Sequence, residues 1–259
     1  MEKSPARRRF LKSVTAIGGA ASFPVPALAA EAHAQHGARS SPQAYLFLTQ
    51  PEVAFVEAAV ARLIPADELG PGAKEAGVAY FIDRQLFGGW GTMAKMYRQG
   101  PWPEGTPQQG YQSPLTPQQV YRIGIGEVNA HCAKQYGNSF SALTAAQQDE
   151  VLRGLDSGKI ELEAVRSQFF FNMLLANTLE GFFADPIYGG NRDKAGWKLV
   201  GFPGVAAVYT AHVEQHGVPY NAVPVSIQDI VDSVAEVDEH GHPKHILVGR
   251  NDRGSSHGD

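Results

Sequence analysis

Apolar residues recur along much of this chain at intervals of three and four, the period of helices that bury one face. Thr49-Gln50-Pro51-Glu52 is a capping box, with Thr49 as N-cap and Glu52 three residues on. Val53, Val56, Val60 and Leu63 follow at helical spacing, with Ala59 and Ile64 beside them, and Pro65 stops the helix. After the Pro71-Gly72 turn a second helix is expected from about Lys74 to Phe87, with Val78, Phe81, Ile82 and Leu86 inward. Thr116-Pro117 opens a third that ends near Tyr136-Gly137, and Thr144 caps a short fourth through Leu155.

The longest helical run covers 161–183. Val165, Phe169, Asn172, Leu175, Leu179 and Phe182 share a face, and Phe170, Phe171, Met173 and Leu174 widen it. A helix apolar nearly all round reads as central and buried. It is too short in its apolar stretch to span a bilayer, and it carries Asn172, Asn177 and Glu180. Asp185-Pro186-Ile187-Tyr188-Gly189-Gly190-Asn191 then forms a tight turn. Short helices are expected over Lys194–Val200 and Val205–His216. Ser226 caps a last one with Ile227, Ile230, Val231 and Val234 as its face. Period-two alternation is weak everywhere, at its best over Val223–Ile227, and no repeat appears. The expected fold is mainly α: a single helical domain over 49–237, built round the 161–183 helix. Residues 30–48 read as a linker and 238–259 as a mobile tail.

Between the second and third helices, 88–114 is a long Gly-, Pro- and Gln-rich loop carrying Trp90, Trp102 and Tyr111. A loop of that length is commonly functional, and its aromatics favour packing on its own domain or a partner. Gly (28) and Pro (17) are both abundant in the 259 residues, which agrees with long connections, while 43 % hydrophobic content supplies a core. The net charge of −4 argues against a general nucleic-acid binder. The single cysteine, Cys132, excludes an intrachain disulfide and a cysteine-ligated iron–sulfur cluster.

Residues 1–29 read as an export signal. Arg7-Arg8-Arg9-Phe10-Leu11-Lys12 resembles the twin-arginine pattern R-R-x-F-L-K, with Ala6 where Ser or Thr is usual. An apolar stretch from Val14 to Leu28 follows, and Ala27-Leu28-Ala29 suits cleavage. The segment holds five of the 22 basic residues and one of the 26 acids, so its removal takes the net charge to −8. Such a chain is a poor candidate for holding an anionic membrane by its overall charge. Twin-arginine export carries folded proteins, typically with a cofactor already inserted. Yet the chain has no G-x-G-x-x-G, P-loop, G-x-S-x-G or H-E-x-x-H motif. One resolution is that the cofactor sits in a partner exported with it.

Several side-chain groupings could carry chemistry, and each has a plain structural reading. His212 and His216, spaced i, i+4 on an expected helix, make a workable metal pair or two packing histidines. Glu239, His240, His242 and His245 form a His-rich patch near the tail. His131-Cys132 is a reactive pair or, for Cys132, a small buried hydrophobe. Glu180 and Asp185 are an acid–base pair, or else Asp185 shapes the turn while Glu180 pairs with Arg192 or Lys194. Phe169, Phe170, Phe171, Phe182 and Phe183 read as core, with some share left for anchoring a partner.

The stretch Glu180-Gly181-Phe182-Phe183-Ala184-Asp185-Pro186-Ile187-Tyr188-Gly189-Gly190-Asn191-Arg192-Asp193 is distinctive, as are Gly196-Trp197-Lys198 and Gly201-Phe202-Pro203-Gly204. Together they resemble the signature of the gluconate 2-dehydrogenase subunit 3 family. Leu63-Ile64-Pro65-Ala66-Asp67, Pro71-Gly72-Ala73, Phe81-Ile82-Asp83-Arg84-Gln85-Leu86 and Leu115-Thr116-Pro117 agree with it, so the resemblance covers about 49–225. It implies the small subunit of a bacterial membrane-associated dehydrogenase acting on sugars or sugar acids. Its partners would be a GMC-type flavoprotein holding FAD and a multihaem cytochrome c subunit, with no cofactor and no catalytic residue in this chain. The small subunit would serve maturation, co-export and stability of the flavoprotein, in the periplasm and at the membrane through its partners. Phe182, Asp185, Tyr188, Gly189, Gly190, Asn191, Arg192 and Trp197 are the expected interface, although a purely internal role for the same turn fits equally well. The rival reading is a stand-alone exported metal-binding protein or enzyme using His212 and His216.

Overall fold

A computed structural model describes residues 44–103, 105–106, 109–205, 209, 212–239 and 242–244, all within the compact unit Gln43–Asp259. The expected signal, most of the linker, His240 and His245 lie outside the described residues. Among those described there are eight α-helices and isolated bridges but no strand, so the fold is mainly α. The helices are α1 (Gln50–Leu63), α2 (Val78–Phe87), α3 (Gly89–Thr92), α4 (Pro117–Tyr136), α5 (Ala145–Asp156), α6 (Ser167–Phe183), α7 (Ala195–Val200) and α8 (Ile227–Val231). None of them is long and apolar enough to cross a membrane.

The capping residues start the helices where the sequence places them. Thr49 and Glu52 close a reciprocal box on α1, as Thr116 and Gln119 do on α4 and Thr144 and Gln147 on α5. Two starts differ. Gly77 adopts a left-handed backbone (φ +74°), so 74–77 wind as a turn and α2 begins at Val78. The central helix begins at Ser167, six residues later than its periodicity suggests. The Glu127 carboxylate on α4 accepts the N–H groups of Glu163 and Ala164, each at 3.0 Å, and holds the approach to α6 in an irregular path.

Helix α6 packs against α1, α2, α4, α5 and α7. Its buried face is Phe170, Leu174, Thr178, Gly181 and Phe182, with Phe171, Met173 and Asn177 beside them. That face is rotated from the one expected, because Asn172 and Leu179 are exposed. A helix rich in apolar residues on every side does not reveal by periodicity which side its neighbours cover. Phe55 of α1 completes the centre, with its ring 4.7 Å from Phe140 and 6.2 Å from Phe170. Tyr121 is wholly buried, packs edge-on to Phe170 and donates its hydroxyl to Asn177 Oδ1 at 2.8 Å. Asn177 in turn donates to Glu180 at 3.0 Å, so this buried polar line ends at the surface. Burial, with Glu180 nearby, pushes the Tyr121 hydroxyl pKa well above its ordinary value, and it is a hydrogen-bond donor at every working pH.

Residues 46–48, read above as the end of a linker, dock on α2. The buried Asp83 carboxylate accepts the N–H groups of Leu46, Phe47 and Leu48 at 2.7, 2.9 and 2.8 Å. Next to them Tyr45 stacks on Tyr80 with ring centres 4.4 Å apart. The long loop after α2 divides. Tyr111 packs edge-on to Phe169 and donates to Leu115 O at 2.7 Å, whereas Trp90, Met96 and Tyr97 are exposed.

Candidate functional site

The turn between α6 and α7 is where the distinctive sequence lies, and it is a clasp. Asn191 is fully buried: its Nδ2 donates to Ala184 O and its Oδ1 accepts Gly196 N, both at 2.8 Å. One side chain therefore ties the end of α6 to the first turn of α7. Trp197 Nε1 donates to Phe183 O at 2.7 Å, and the Arg192 N–H donates to Ala76 O at 2.9 Å, which fixes the turn against the entry to α2. The geometry requires Asn191 (φ +47°), Asp193 (φ +55°) and Lys194 (φ +58°) to take left-handed backbone. Side chains larger than glycine rarely adopt that region, so strain is stored here and held by the surrounding bonds.

Two glycines make the approach close enough. A Cβ on Gly190 would stand 2.2 Å from Gly181 O, and one on Gly196 would stand 2.1 Å from Phe182 O. Both positions press on the backbone of α6 itself. The space beside them is filled by this chain's own carbonyl groups.

Asp185 extends the clasp to the C-terminal segment. Its carboxylate accepts Ile187 N at 3.0 Å and Ile227 N at 2.7 Å, thereby shaping the Pro186–Tyr188 turn and capping α8. Lys194 Nζ bonds Asp229 Oδ2 on α8 at 2.7 Å, and Ser226 N reaches the same oxygen at 2.7 Å. The face expected to bury α8 does not do so: Val231 and Val234 are exposed, and the helix is held by polar anchors instead.

Asp229 titrates accordingly. Burial raises its pKa, but the bonds from Lys194 and Ser226 outweigh it and hold the carboxyl below its ordinary value. A carboxylate depressed in the folded state contributes stability in full above its unfolded pKa and loses it as pH falls through the folded one. On acidification below about pH 4 the segment round α8 is therefore expected to release before the helical core. Amide exchange at Asp229 against Val128, followed from neutral pH downward, measures this. In Lys194→Met the release should move to higher pH. Protection at Asp229 that tracks the core throughout would refute the assignment.

Of the eight residues expected at an interface, Phe182, Asp185, Gly190, Asn191 and Trp197 are buried within this chain. Gly189 is half-buried, and Tyr188 and Arg192 stand exposed. Of those eight, the side chains available to a partner are thus Tyr188 and Arg192, with exposed Ile187 and Asp193 beside them. Glu180 and Asp185 do not form an acid–base pair, since one accepts from Asn177 and the other caps backbone. Nor does Glu180 pair with Arg192 or Lys194: Lys194 holds Asp229, and Arg192 lies over the Tyr80 ring.

The histidine candidates fare differently from their spacing. His212 starts a short turn, Val213 to Gly217 are not helical, and His212 packs edge-on to Tyr220 with ring centres 5.0 Å apart. The i, i+4 helix face for His212 and His216 is therefore absent. His242 bonds Asp238 at 3.2 Å. Among the described residues no three of His, Cys, Asp or Glu are grouped to hold a metal ion. Cys132 is buried, and desolvation pushes its thiol up to about 11, far from a nucleophile's range. Its neighbour His131 faces a different side of α4, into an open groove of about 670 Å³ with Tyr136, Glu150, Arg153 and Lys159.

Sequence reasoning missed Asp83 and the joint Lys194–Asp229 and Asp185–Ile227 anchors. A buried aspartate three residues before the end of an apolar helix face was the available signal for the first. Compared with known proteins, the chain matches the family model described as Gluconate 2-dehydrogenase subunit 3 over residues 50–204. That span runs from the start of α1 to just past α7 and includes the turn from Asp185 to Trp197, but not the α8 anchors at Ser226, Ile227 and Asp229. Neither a curated protein nor a solved structure matches the chain.

Proposed function

The chain belongs to the gluconate 2-dehydrogenase subunit 3 family, and from that premise we propose that it is the small, non-catalytic subunit of an exported FAD-dependent dehydrogenase complex. Membership makes it a subunit of a multi-subunit oxidoreductase of the gluconate 2-dehydrogenase type. In this reading the flavin is held by a GMC-type large subunit and haem c by a cytochrome subunit. The small subunit folds round α6, escorts the flavoprotein through the twin-arginine route and stabilises it in the periplasm.

The observation that carries the reading is the family match across every helix from α1 to α7. Two further features support it. The arginine pair and Phe10-Leu11-Lys12 at the N-terminus suit export of a folded cargo. The motif residues are engaged in closing this chain on itself, which suits a scaffold better than a catalyst. Oxidation of the alcohol belongs to the flavin of the partner, and no step is assigned to this chain's side chains.

Recovery of a tagged chain from its native periplasm, with an absorption spectrum of the eluate, tests the proposal. The expected result is a larger co-purifying polypeptide with a flavin spectrum. A colourless chain recovered without a partner would overturn it.

A further inference from the structure

Arg62, Arg122 and Arg153 each hold a carboxylate. Arg98 donates to Pro114 O, and among the described residues Arg84 and Arg192 hold no carboxylate. They are brought together by the fold, from α2 and from the motif turn. Arg84 follows Tyr80 by one helical turn and lies on the same face. Its Cδ is 3.1 Å from where a Cβ on Gly189 would stand, and its Nη1 is buried with no hydrogen-bond partner. The Arg192 guanidinium lies 5.9 Å from the Tyr80 ring centre, and its Nη2 is 3.2 Å from where a Cβ on Gly77 would stand. Gly189 O is 3.5 Å from that same point. Both side chains therefore lie in the neighbourhood of Gly189. Nearby acids do not answer them: Asp83 is filled by three backbone N–H groups, Asp185 caps α8, and Asp193 makes no ion pair among the described residues.

We infer that Arg84 and Arg192 seat a carboxylate carried by the flavoprotein subunit. This rests on the proposed function and names the chemistry of that contact. A planar guanidinium fork matches a carboxylate, and no carboxylate of the described residues meets either of these two. The neighbourhood indicates a protein-borne group over a free anion. Tyr188 is 51 % exposed and Ile187 37 % exposed beside the arginines, and a surface of tyrosine, arginine and an aliphatic residue is the usual make-up of an interface anchor.

The flavin-bearing polypeptide recovered with the wild-type chain is purified and rebound to the mature chain over a series of NaCl concentrations. Arg192→Ala is expected to weaken binding about tenfold and Arg84→Ala/Arg192→Ala about a hundredfold, with a shallower salt dependence. Arg192→Lys should fall between wild type and Arg192→Ala, because it keeps the charge and loses the fork. A folded double variant that binds within about twofold of wild type with the same salt slope overturns the inference alone and leaves the proposed function standing. Should the double variant fail to fold, Arg192→Ala decides, since that side chain is exposed. Inorganic phosphate that saturates the arginines of the unbound chain without weakening the complex would assign them to a free anion and overturn the inference. A wild-type chain that recovers no flavoprotein overturns both.

Discussion

Gly190→Ala is expected to lower the unfolding free energy of the mature chain by about 3 kcal/mol, the upper end for an overpacked site. The reason is the identity of the atom in the way. The new methyl would stand 2.2 Å from Gly181 O and 3.1 Å from Phe81 Cβ. A side chain could rotate aside, but Gly181 O belongs to the backbone of the central helix. The turn itself would have to lift, and with it the bonds from Asn191 to Ala184 O and Gly196 N. Gly126→Ala is the internal contrast. Gly126 lies in α4 with nothing within 4 Å of its Cβ position, so alanine there should stabilise by roughly 0.5–1 kcal/mol. Urea unfolding of both variants beside the parent checks the pair. Equal midpoints would mean that the clasp does not require close backbone approach.

The second large effect is expected at Asp83→Ala, a loss of about 3 kcal/mol from three charge-assisted hydrogen bonds, each worth about 1.5–3 kcal/mol in isolation. The sum of three such bonds overstates the loss. Residues 46–48 can swing out and give their N–H groups to water, which caps the cost at detachment of that segment. The variant should therefore show two signatures: a lower melting temperature, and loss of amide protection at Leu46, Phe47 and Leu48 that exceeds the loss in α4. Asp83→Asn should be milder, because one amide oxygen still accepts while the NH₂ faces donors. If the three amides stay protected in Asp83→Ala, the carboxylate is not what docks the segment.

Both predictions rest on tertiary contacts that no local pattern encodes, and they mark where sequence reading reaches its limit here. Helix starts were legible because a cap is a local device. Thr49 with Glu52, Thr116 with Gln119 and Thr144 with Gln147 each meet within one turn. The stop of α4 at Gly137 was legible for the same reason. The start of α6 was not, since what delays it is Glu127, some 40 residues earlier in the chain. The buried face of α6 was misread because apolar residues lie on every side of it. The choice among those sides belongs to Phe55, Tyr121 and their neighbours.

The motif turn shows the division most clearly. Its residues were singled out by their order, and the family match extends over them. Their order could not distinguish an outward contact surface from an inward clasp. Tertiary structure decided that Asn191 and Trp197 point inward to carbonyls of α6, and that Tyr188 and Arg192 remain outside. It also decided that His212 and His216 share no helix face, and that Arg84 and Arg192, 108 positions apart, both lie in the neighbourhood of Gly189. By itself the sequence determined the helical class, the caps and the family, because periodicity, capping and motif order act over a few residues. Which face is buried, which polar group finds a partner and which charge is left without one depend on residues distant along the chain, and only folding brings those together.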